Sequence, residues 1–214
     1  MGNRRKKARI YVLAGVNGAG KSSVGGAMFA IAGREFFNPD VAAREALEES
    51  PEMTQEEANA WAWQEGRRLL EMSILTTQDF TFETTLGGNT ITRLLEQAIT
   101  TGIEVRIWYV GLESVELHIA RVRSRVAKGG HDIPEEKIRE RYDRSRWNLL
   151  GLLPKLAELK LFDNTAEGDP EKGQSPEPKL LLHLLHRRIV SSYDLFQMPE
   201  WAKPILQAAL ELQR

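Results

Sequence analysis

One segment near the amino terminus constrains the fold more than any other. The run GVNGAGKS at residues 15–22 fits the pattern G-x-x-x-x-G-K-[ST]. Its glycines let successive backbone N–H groups turn toward one anion, and the helix predicted from Lys21 to Gly33 adds the positive end of its dipole. The preceding residues Arg9–Ala14 are apolar and β-branched, which predicts a buried strand. Strand, loop and helix together are the context that this pattern requires, so the sequence predicts a site for the phosphates of a nucleotide.

Each part of this loop has an expected role. Lys21 is expected to reach the β and γ phosphates, and Ser22 to supply a hydroxyl to Mg²⁺. The sequence therefore predicts ATP and Mg²⁺ as ligands, and a glycine turn with a coincidental lysine is the alternative. The other nucleotide contacts expected from this loop are Gly15, Asn17, Gly18, Ala19, Gly20 and Ser23.

Composition excludes several classes of protein. A chain of 214 residues with 42% hydrophobic and 28% charged residues can bury the core of one domain, predicted over 1–214. It contains no cysteine, which excludes disulfide scaffolds and thiolate metal sites. No apolar run approaches the roughly 18 residues of a membrane span, and the basic amino terminus lacks a signal-peptide cleavage site. We expect a cytoplasmic protein without a membrane partner.

Strand and helix patterns alternate along the chain. After the first strand, further strands are predicted at 35–40, 79–86, 103–112 and 159–163, with helices between them. This alternation predicts an α/β fold, a five-stranded parallel sheet with helices on both faces. Within it we expect a helical insertion at 41–78, which includes a helix that opens at the capping box of Thr54, a lid at 121–146 and a helical tail at 179–214.

Two acidic residues follow predicted strands. In a parallel sheet, ligands gather at the carboxyl ends of the strands, which is where Asp40 and Glu83 fall. A carboxylate beside the γ-phosphate can accept the proton of an attacking hydroxyl or position Mg²⁺. Asp40 could instead cap a helix that begins at Val41. The hydroxyls of Thr84 and Thr85 could orient a substrate or hold the turn.

Residues 121–146 carry nine basic groups against five acidic ones. Arg121 and Arg125 are four residues apart and share a helix face, and a second predicted helix carries Arg139 and Arg141. Two short helices with a glycine break suit a lid whose arginines neutralise charge on a transferred phosphoryl group. His131, just after the break, is expected to be a hinge or substrate contact. An exposed helix face with Arg–Glu pairs is the alternative.

Taken in this order, the motifs resemble those of the zeta toxin family of bacterial kinases, specifically its short, stand-alone members. The resemblance covers about residues 8–166, and the segments that carry it are GVNGAGKSS (15–23), FFNPD (36–40), FTFETTLGG (80–88), RVRSRVAKGGHDIP (121–134) and LFDNT (161–165). It implies an adenylate-kinase-like P-loop fold, ATP·Mg²⁺ as donor and, as the first choice of acceptor, the sugar hydroxyl of UDP-N-acetylglucosamine. It also implies a toxin and an antitoxin protein as partner.

The resemblance assigns roles by motif. Asp40 is similar to the general base, which would also lie near the metal, and Arg121 and Arg125 to the lid arginines. Asn164 is expected beside the adenine. The residues expected to contact the acceptor are Asn38, Glu83, Thr84, Thr85 and His131.

Three other functions stay open. A transporter-type ATPase module would need an LSGGQ-like signature and a strand ending in Asp-Glu, which the chain lacks. A kinase could act on another small molecule or nucleotide, although the absence of a long basic stripe disfavours nucleic acid. The third possibility is a protein that binds a nucleotide without catalysis. The presence of Lys21, Ser22 and Asp40 argues against it.

Overall fold

The computed structural model describes residues 7–21, 24–26, 36–166 and 178–214. Six strands form one sheet in the order β2-β1-β3-β4-β5-β6. The strands are β1 (Arg9–Ala14), β2 (Phe80–Thr84), β3 (Glu104–Gly111), β4 (Glu158–Asp163), β5 (Lys179–Leu185) and β6 (Arg188–Ser192). β1 to β4 are parallel to one another, and β5 is antiparallel to both of its neighbours, β4 and β6. The predicted α/β class is confirmed, with six strands in a mixed sheet rather than five in a parallel one.

The helices connect the strands and pack on the sheet. They are α1 (Pro39–Glu49), α2 (Gln55–Thr76), α3 (Asn89–Thr100), α4 (Val115–Val126), α5 (Glu135–Leu152) and α6 (Lys203–Glu211). Lys21 and residues 24–26 are also helical, directly after the glycine loop. The capping box predicted at Thr54 is confirmed, with the Thr54 side chain and the Glu57 carboxylate each accepting the other residue's backbone N–H. In the part of the chain that is described, no helix has both the length and the apolar character needed to cross a membrane.

The core lies where the parallel strands are apolar on both faces. In β3 every residue from Ile107 to Gly111 is buried, as expected for a strand covered on both sides. Ala14 pairs with Thr84 on one side and with Tyr109 on the other. The carboxyl ends of β1, β2 and β3 therefore meet at one edge of the sheet, and the loops that follow them share that edge.

The strand predicted at 35–40 is wrong. Its described part makes a single bridge, Phe37 to Phe82, and the chain then enters α1 at Pro39. Proline has no N–H to give to a sheet and suits the first turn of a helix. Asn38 caps that helix by accepting from the backbone N–H groups of Asp40 and Val41.

The helical tail predicted at 179–214 is also wrong in its first half. Residues 179–192 form the β5–β6 hairpin, which adds antiparallel strands to the edge of β4. The turn is made by His186 and Arg187, both with positive φ. Leu181, Leu182 and Leu184 are buried. The register between β4 and β5 shifts at Leu161 and Phe162, and this irregularity lets the successive residues Leu181 and Leu182 both be buried. The second half is helical as expected in α6.

Candidate functional site

The glycine loop after β1 has the backbone shape of a phosphate cradle. Gly15, Gly18 and Gly20 all have positive φ, a conformation that other residues rarely adopt. A Cβ atom on Gly15 would lie 2.2 Å from the Val110 carbonyl oxygen. The loop is thus pressed against the end of β3, and no larger residue could take that position.

Side chains hold carbonyl groups of this loop. Lys21 Nζ donates to the Val16 carbonyl oxygen at 3.3 Å, and Asn164 Nδ2 donates to that of Ala19 at 2.8 Å. Asn164, predicted beside the adenine, is buried at the end of β4. It thus ties the phosphate loop to a strand two positions away in the sheet.

A cavity of about 1050 Å³ opens from the loop along the carboxyl edge of the sheet toward α2. Three predicted site residues that the structure describes do not line the cavity: Gly15, Ala19 and Asn38. Two others, Ser22 and Ser23, lie outside the described residues. The predicted residues that line it are Asn17, Gly18, Gly20, Lys21, Asp40, Glu83, Thr84, Thr85, Arg121, Arg125, His131 and Asn164.

A buried charge pair joins the loop to the end of β2. Lys21 Nζ lies 3.6 Å from Glu83 Oε1, and the two residues are 7% and 8% exposed. Asn38 Nδ2 donates to the other oxygen, Glu83 Oε2, at 3.2 Å. A carboxylate so deeply placed needs such partners, because an uncompensated buried charge is costly. Asn38, outside the cavity lining, thus supports the site through Glu83.

Asp40 faces the cavity from the first turn of α1. Because Asn38 is the helix cap, the capping role considered for Asp40 is wrong. The Asp40 carboxylate is 57% exposed and lies 3.6 Å from the Arg125 guanidinium. A cavity-lining carboxylate with this exposure is within reach of a bound substrate.

The four candidate arginines separate into two groups. Arg121, Arg125 and Arg141 line the cavity, whereas Arg139 pairs with Glu116 at 3.0 Å on the exposed face of the helices. Arg139 therefore has the role of the solvated Arg–Glu pair that the sequence left open as an alternative. Arg121 donates to the Thr165 carbonyl oxygen at 3.2 Å, which places it beside the segment expected at the adenine.

Contacts of Arg125 and His131 hold the segment around Gly129 and Gly130 against the site. Arg125 Nη2 donates to the His131 carbonyl oxygen at 2.9 Å, and His131 Nε2 lies 3.1 Å from Asn59 Nδ2 on α2. A Cβ atom on Gly130 would lie 2.6 Å from Arg125 Cγ, so glycine is required for this close approach. The segment between α4 and α5 is in direct contact with α2 at this point.

Helix α2 forms the far wall of the cavity, to which it contributes Trp63 together with Asn59 and Arg67, two residues that the sequence gave no reason to select. Asn59, Trp63 and Arg67 share one face because they are spaced four residues apart. Gly66 lets this helix approach Phe37, since a Cβ atom there would lie 2.6 Å from Phe37 Cε1. The four-residue spacing was a visible signal, but nothing local indicated which face of α2 meets the cavity.

Two further side chains contact Asn17 of the phosphate loop: His118, to which the sequence gave no role, and Arg141, one of the four candidate arginines. His118 on α4 is almost completely buried, and burial lowers its pKa to about 4. Arg141 on α5 is also shielded, and this desolvation lowers its pKa. Both side chains belong to helices α4 and α5 and not to the glycine motif.

The described residues contain no group of three or more histidine, aspartate or glutamate side chains that could hold a metal ion by themselves. The oxygen groups expected for Mg²⁺ were Asp40, which lines the cavity, and Ser22, which is not described. Hard carboxylate oxygens at a phosphate site fit Mg²⁺, which is commonly bound by one or two carboxylates together with substrate phosphates.

Comparison with known proteins yields no matching family model. A curated Haemophilus influenzae protein of uncharacterized function is 40% identical over 63 residues, which is 29% of this chain and 45% of that protein. Among solved structures, the AvrRxo1-ORF1:AvrRxo1-ORF2 complex with ATP matches 96% of this chain at TM-score 0.64 and 15% identity. The PezAT chromosomal toxin-antitoxin system of Streptococcus pneumoniae matches 99% at TM-score 0.54 and 12% identity. A candidate kinase from Chloroflexus aurantiacus matches 66% at TM-score 0.51 and 15% identity.

These likenesses concern the fold. The chain spans 64% of the AvrRxo1 complex chain, 88% of the PezAT chain and 80% of the Chloroflexus chain. The fold is shared with a structure that binds ATP and with a toxin-antitoxin system, as the resemblance in the motifs led us to expect.

Proposed function

We propose that the chain is an ATP-dependent kinase of the zeta toxin type. It transfers the γ-phosphoryl group of ATP to a hydroxyl of a small nucleotide-sugar-like acceptor, for which UDP-N-acetylglucosamine is the first candidate. The observation that carries this proposal is that one cavity joins a phosphate loop, a reachable carboxylate and arginines to a separate wall on α2. A module that only binds ATP would not need the part of the cavity that α2 lines.

The donor side is supported by the loop itself. The left-handed glycines and Lys21 would hold the phosphates of ATP, and Arg121 would lie toward the adenine, near Thr165. Mg²⁺ bound with ATP, with Asp40 nearby, would neutralise charge on the phosphate oxygens. Arg125 and Arg141 would stabilise the negative charge of the phosphoryl group during transfer.

The acceptor side is supported by the chemistry of α2 and β2. Trp63 offers an aromatic face, Arg67 a cation, and Thr84 and Thr85 hydroxyls and backbone groups, a set suited to a base, a phosphate and a sugar. In the transfer, the acceptor hydroxyl oxygen forms a bond to the γ-phosphorus and the bond to the β-phosphate oxygen breaks. The hydroxyl proton passes to Asp40, and ADP leaves.

The test uses the purified chain with ATP, Mg²⁺ and UDP-N-acetylglucosamine, with masses as the readout. We expect a gain of one phosphate, about 80 Da, on the sugar nucleotide. Asp40→Asn should lower the rate by about 10²–10⁴-fold while the Kd for ATP stays within about twofold, since only the base is lost. Glu45→Gln removes an exposed carboxylate from the same helix and should change neither quantity.

Three outcomes separate the parts of the proposal. ADP formation without a modified sugar nucleotide would reject that acceptor and direct the search to other nucleotide-like hydroxyls. Full activity in Asp40→Asn would reject Asp40 as base. Absence of ATP binding to the wild-type chain would reject the kinase itself.

A toxic role with an antitoxin partner follows from the same proposal. The PezAT system, whose fold this chain shares, contains a toxin and an antitoxin. Expression of the wild-type chain in a bacterial host should stop growth, and Asp40→Asn should not. Growth arrest by both variants would separate toxicity from phosphoryl transfer.

A further inference from the structure

Asn17 of the phosphate loop is held at two atoms by the two lid helices. His118 Nδ1 on α4 lies 2.8 Å from the Asn17 carbonyl oxygen. Arg141 Nη1 on α5 donates to the Asn17 side-chain oxygen, also at 2.8 Å. These contacts span 101 and 124 residues of sequence, so the loop's shape depends on distant parts of the chain.

The first contact defines the state of the imidazole. A carbonyl oxygen can only accept a hydrogen bond, so Nδ1 of His118 must carry the hydrogen. The ring is 1% exposed and packs edge-on against Tyr142, with centroids 5.5 Å apart. The low pKa that results from burial keeps the imidazole neutral near pH 7, with one N–H to donate.

The same contact determines where the next N–H group points. The Asn17 carbonyl and the Gly18 N–H belong to one peptide unit, and in a trans peptide they point in opposite directions. The described chain has no cis peptide bonds. Since the Asn17 carbonyl faces His118 beneath the loop, the Gly18 N–H faces away from His118, and Gly18 lines the cavity.

The backbone of His118 adds a second constraint on the same peptide. A Cβ atom on Gly18 would lie 2.5 Å from the His118 carbonyl oxygen, so helix α4 packs directly against the loop at this position. Side chain and backbone of one residue thus both act on residues 17 and 18.

We propose that His118 is a positioning residue for nucleotide binding, whose imidazole fixes the Asn17–Gly18 peptide so that the Gly18 N–H is aimed at a phosphate oxygen. This rests on the proposed function only in that the ligand is a nucleotide. His118 does not touch the ligand; it acts through the peptide that does.

The test compares three variants of the full chain by calorimetric titration with ATP. His118→Phe keeps a ring against Tyr142 but removes the donor, and we expect the Kd for ATP to rise about tenfold. His118→Asn places a donor the same number of bonds from the backbone as Nδ1 and should restore most of the affinity. His183→Phe makes the same substitution on β5, where His183 pairs with Lys160 of β4 and not with the phosphate loop, and should leave the Kd unchanged.

A spectroscopic measurement on the wild-type chain keeps the proposal testable if His118→Phe fails to fold. Nitrogen NMR of the imidazole should show hydrogen on Nδ1 and none on Nε2 near pH 7. Hydrogen on Nε2 instead would overturn the proposal, as would unchanged ATP affinity in a folded His118→Phe. Failure of the wild type to bind ATP would count against the proposed function instead, while the tautomer would still report on the Asn17 contact.

Discussion

From the burial of His118 we predict quantitatively how the free energy of unfolding depends on pH. Its pKa falls from the ordinary value of 6.5 to about 4, chiefly because burial disfavours the charged ring. Its contact with the Asn17 carbonyl opposes this shift in part. The charged groups that face it, Lys21, Arg121 and Arg146, lower the pKa further.

The direction follows from proton binding. Between pH 6.5 and about 4, the unfolded chain binds a proton at this histidine and the folded chain does not. The free energy of unfolding therefore falls as the pH falls through this window, and the full contribution is present above pH 6.5. At about 1.4 kcal/mol for each pKa unit, the loss reaches about 3 kcal/mol below pH 4.

Urea unfolding of the wild type and His118→Phe at about pH 7.5 and about pH 4.5 measures this contribution of His118 to the free energy of unfolding. Carboxylates that titrate in the same range contribute equally to both proteins, so they cancel in the difference between them. We expect the wild type to lose about 2.5 kcal/mol more than the variant on acidification. Equal losses in the two proteins would refute the argument that a neutral, buried imidazole supports the phosphate loop.

Three further predictions concern residues that line or support the site. Gly66→Val puts a side chain against Phe37 and should lower the free energy of unfolding by about 1–3 kcal/mol in urea; an unchanged midpoint would contradict the close helix approach. Arg141→Ala should reduce kcat/KM by about 10²-fold or more, while Arg139→Ala stays within about twofold, and similar losses in both would reject the separation of the lid arginines. Asn38→Ala removes the α1 cap and a hydrogen bond to a buried carboxylate, so thermal unfolding should show a loss of about 1–3 kcal/mol; no change would argue against that double role.

Local signals account for what the sequence predicted well. The phosphate loop needs only glycines with positive φ between a strand and a helix, and the capping box at Thr54 and Glu57 is complete within four residues. The strands at the centre of the sheet are apolar on both faces and could be found by composition alone. In each case the information lies within a few residues of the feature that it specifies.

The wrong or missing predictions concern residues whose contacts lie far away in the sequence. The segment LLLHLLHRR at 180–188 has leucine spacing that fits a helix, and only the free edge of β4 makes it a strand. His118 resembled any other residue of an amphipathic helix, because its partner at Asn17 is 101 positions away. Likewise, charge alone could not separate Arg139 from Arg141, since the two differ only in which side of α5 they occupy.

The surroundings of the two acidic residues also favour Asp40 over Glu83 as the proton acceptor. Glu83 is buried, its Oε2 accepts from Asn38 and its Oε1 faces Lys21, so its oxygens serve to hold the phosphate loop's lysine. Arg125 lies 3.6 Å from Asp40, which is too far to occupy one of the carboxylate's lone pairs with a hydrogen bond. A general base needs a lone pair that an incoming hydroxyl can reach, and the 57% exposed carboxylate of Asp40 provides one. In the proposed reaction, the buried acid would therefore organise the donor side, and the exposed acid would act on the acceptor.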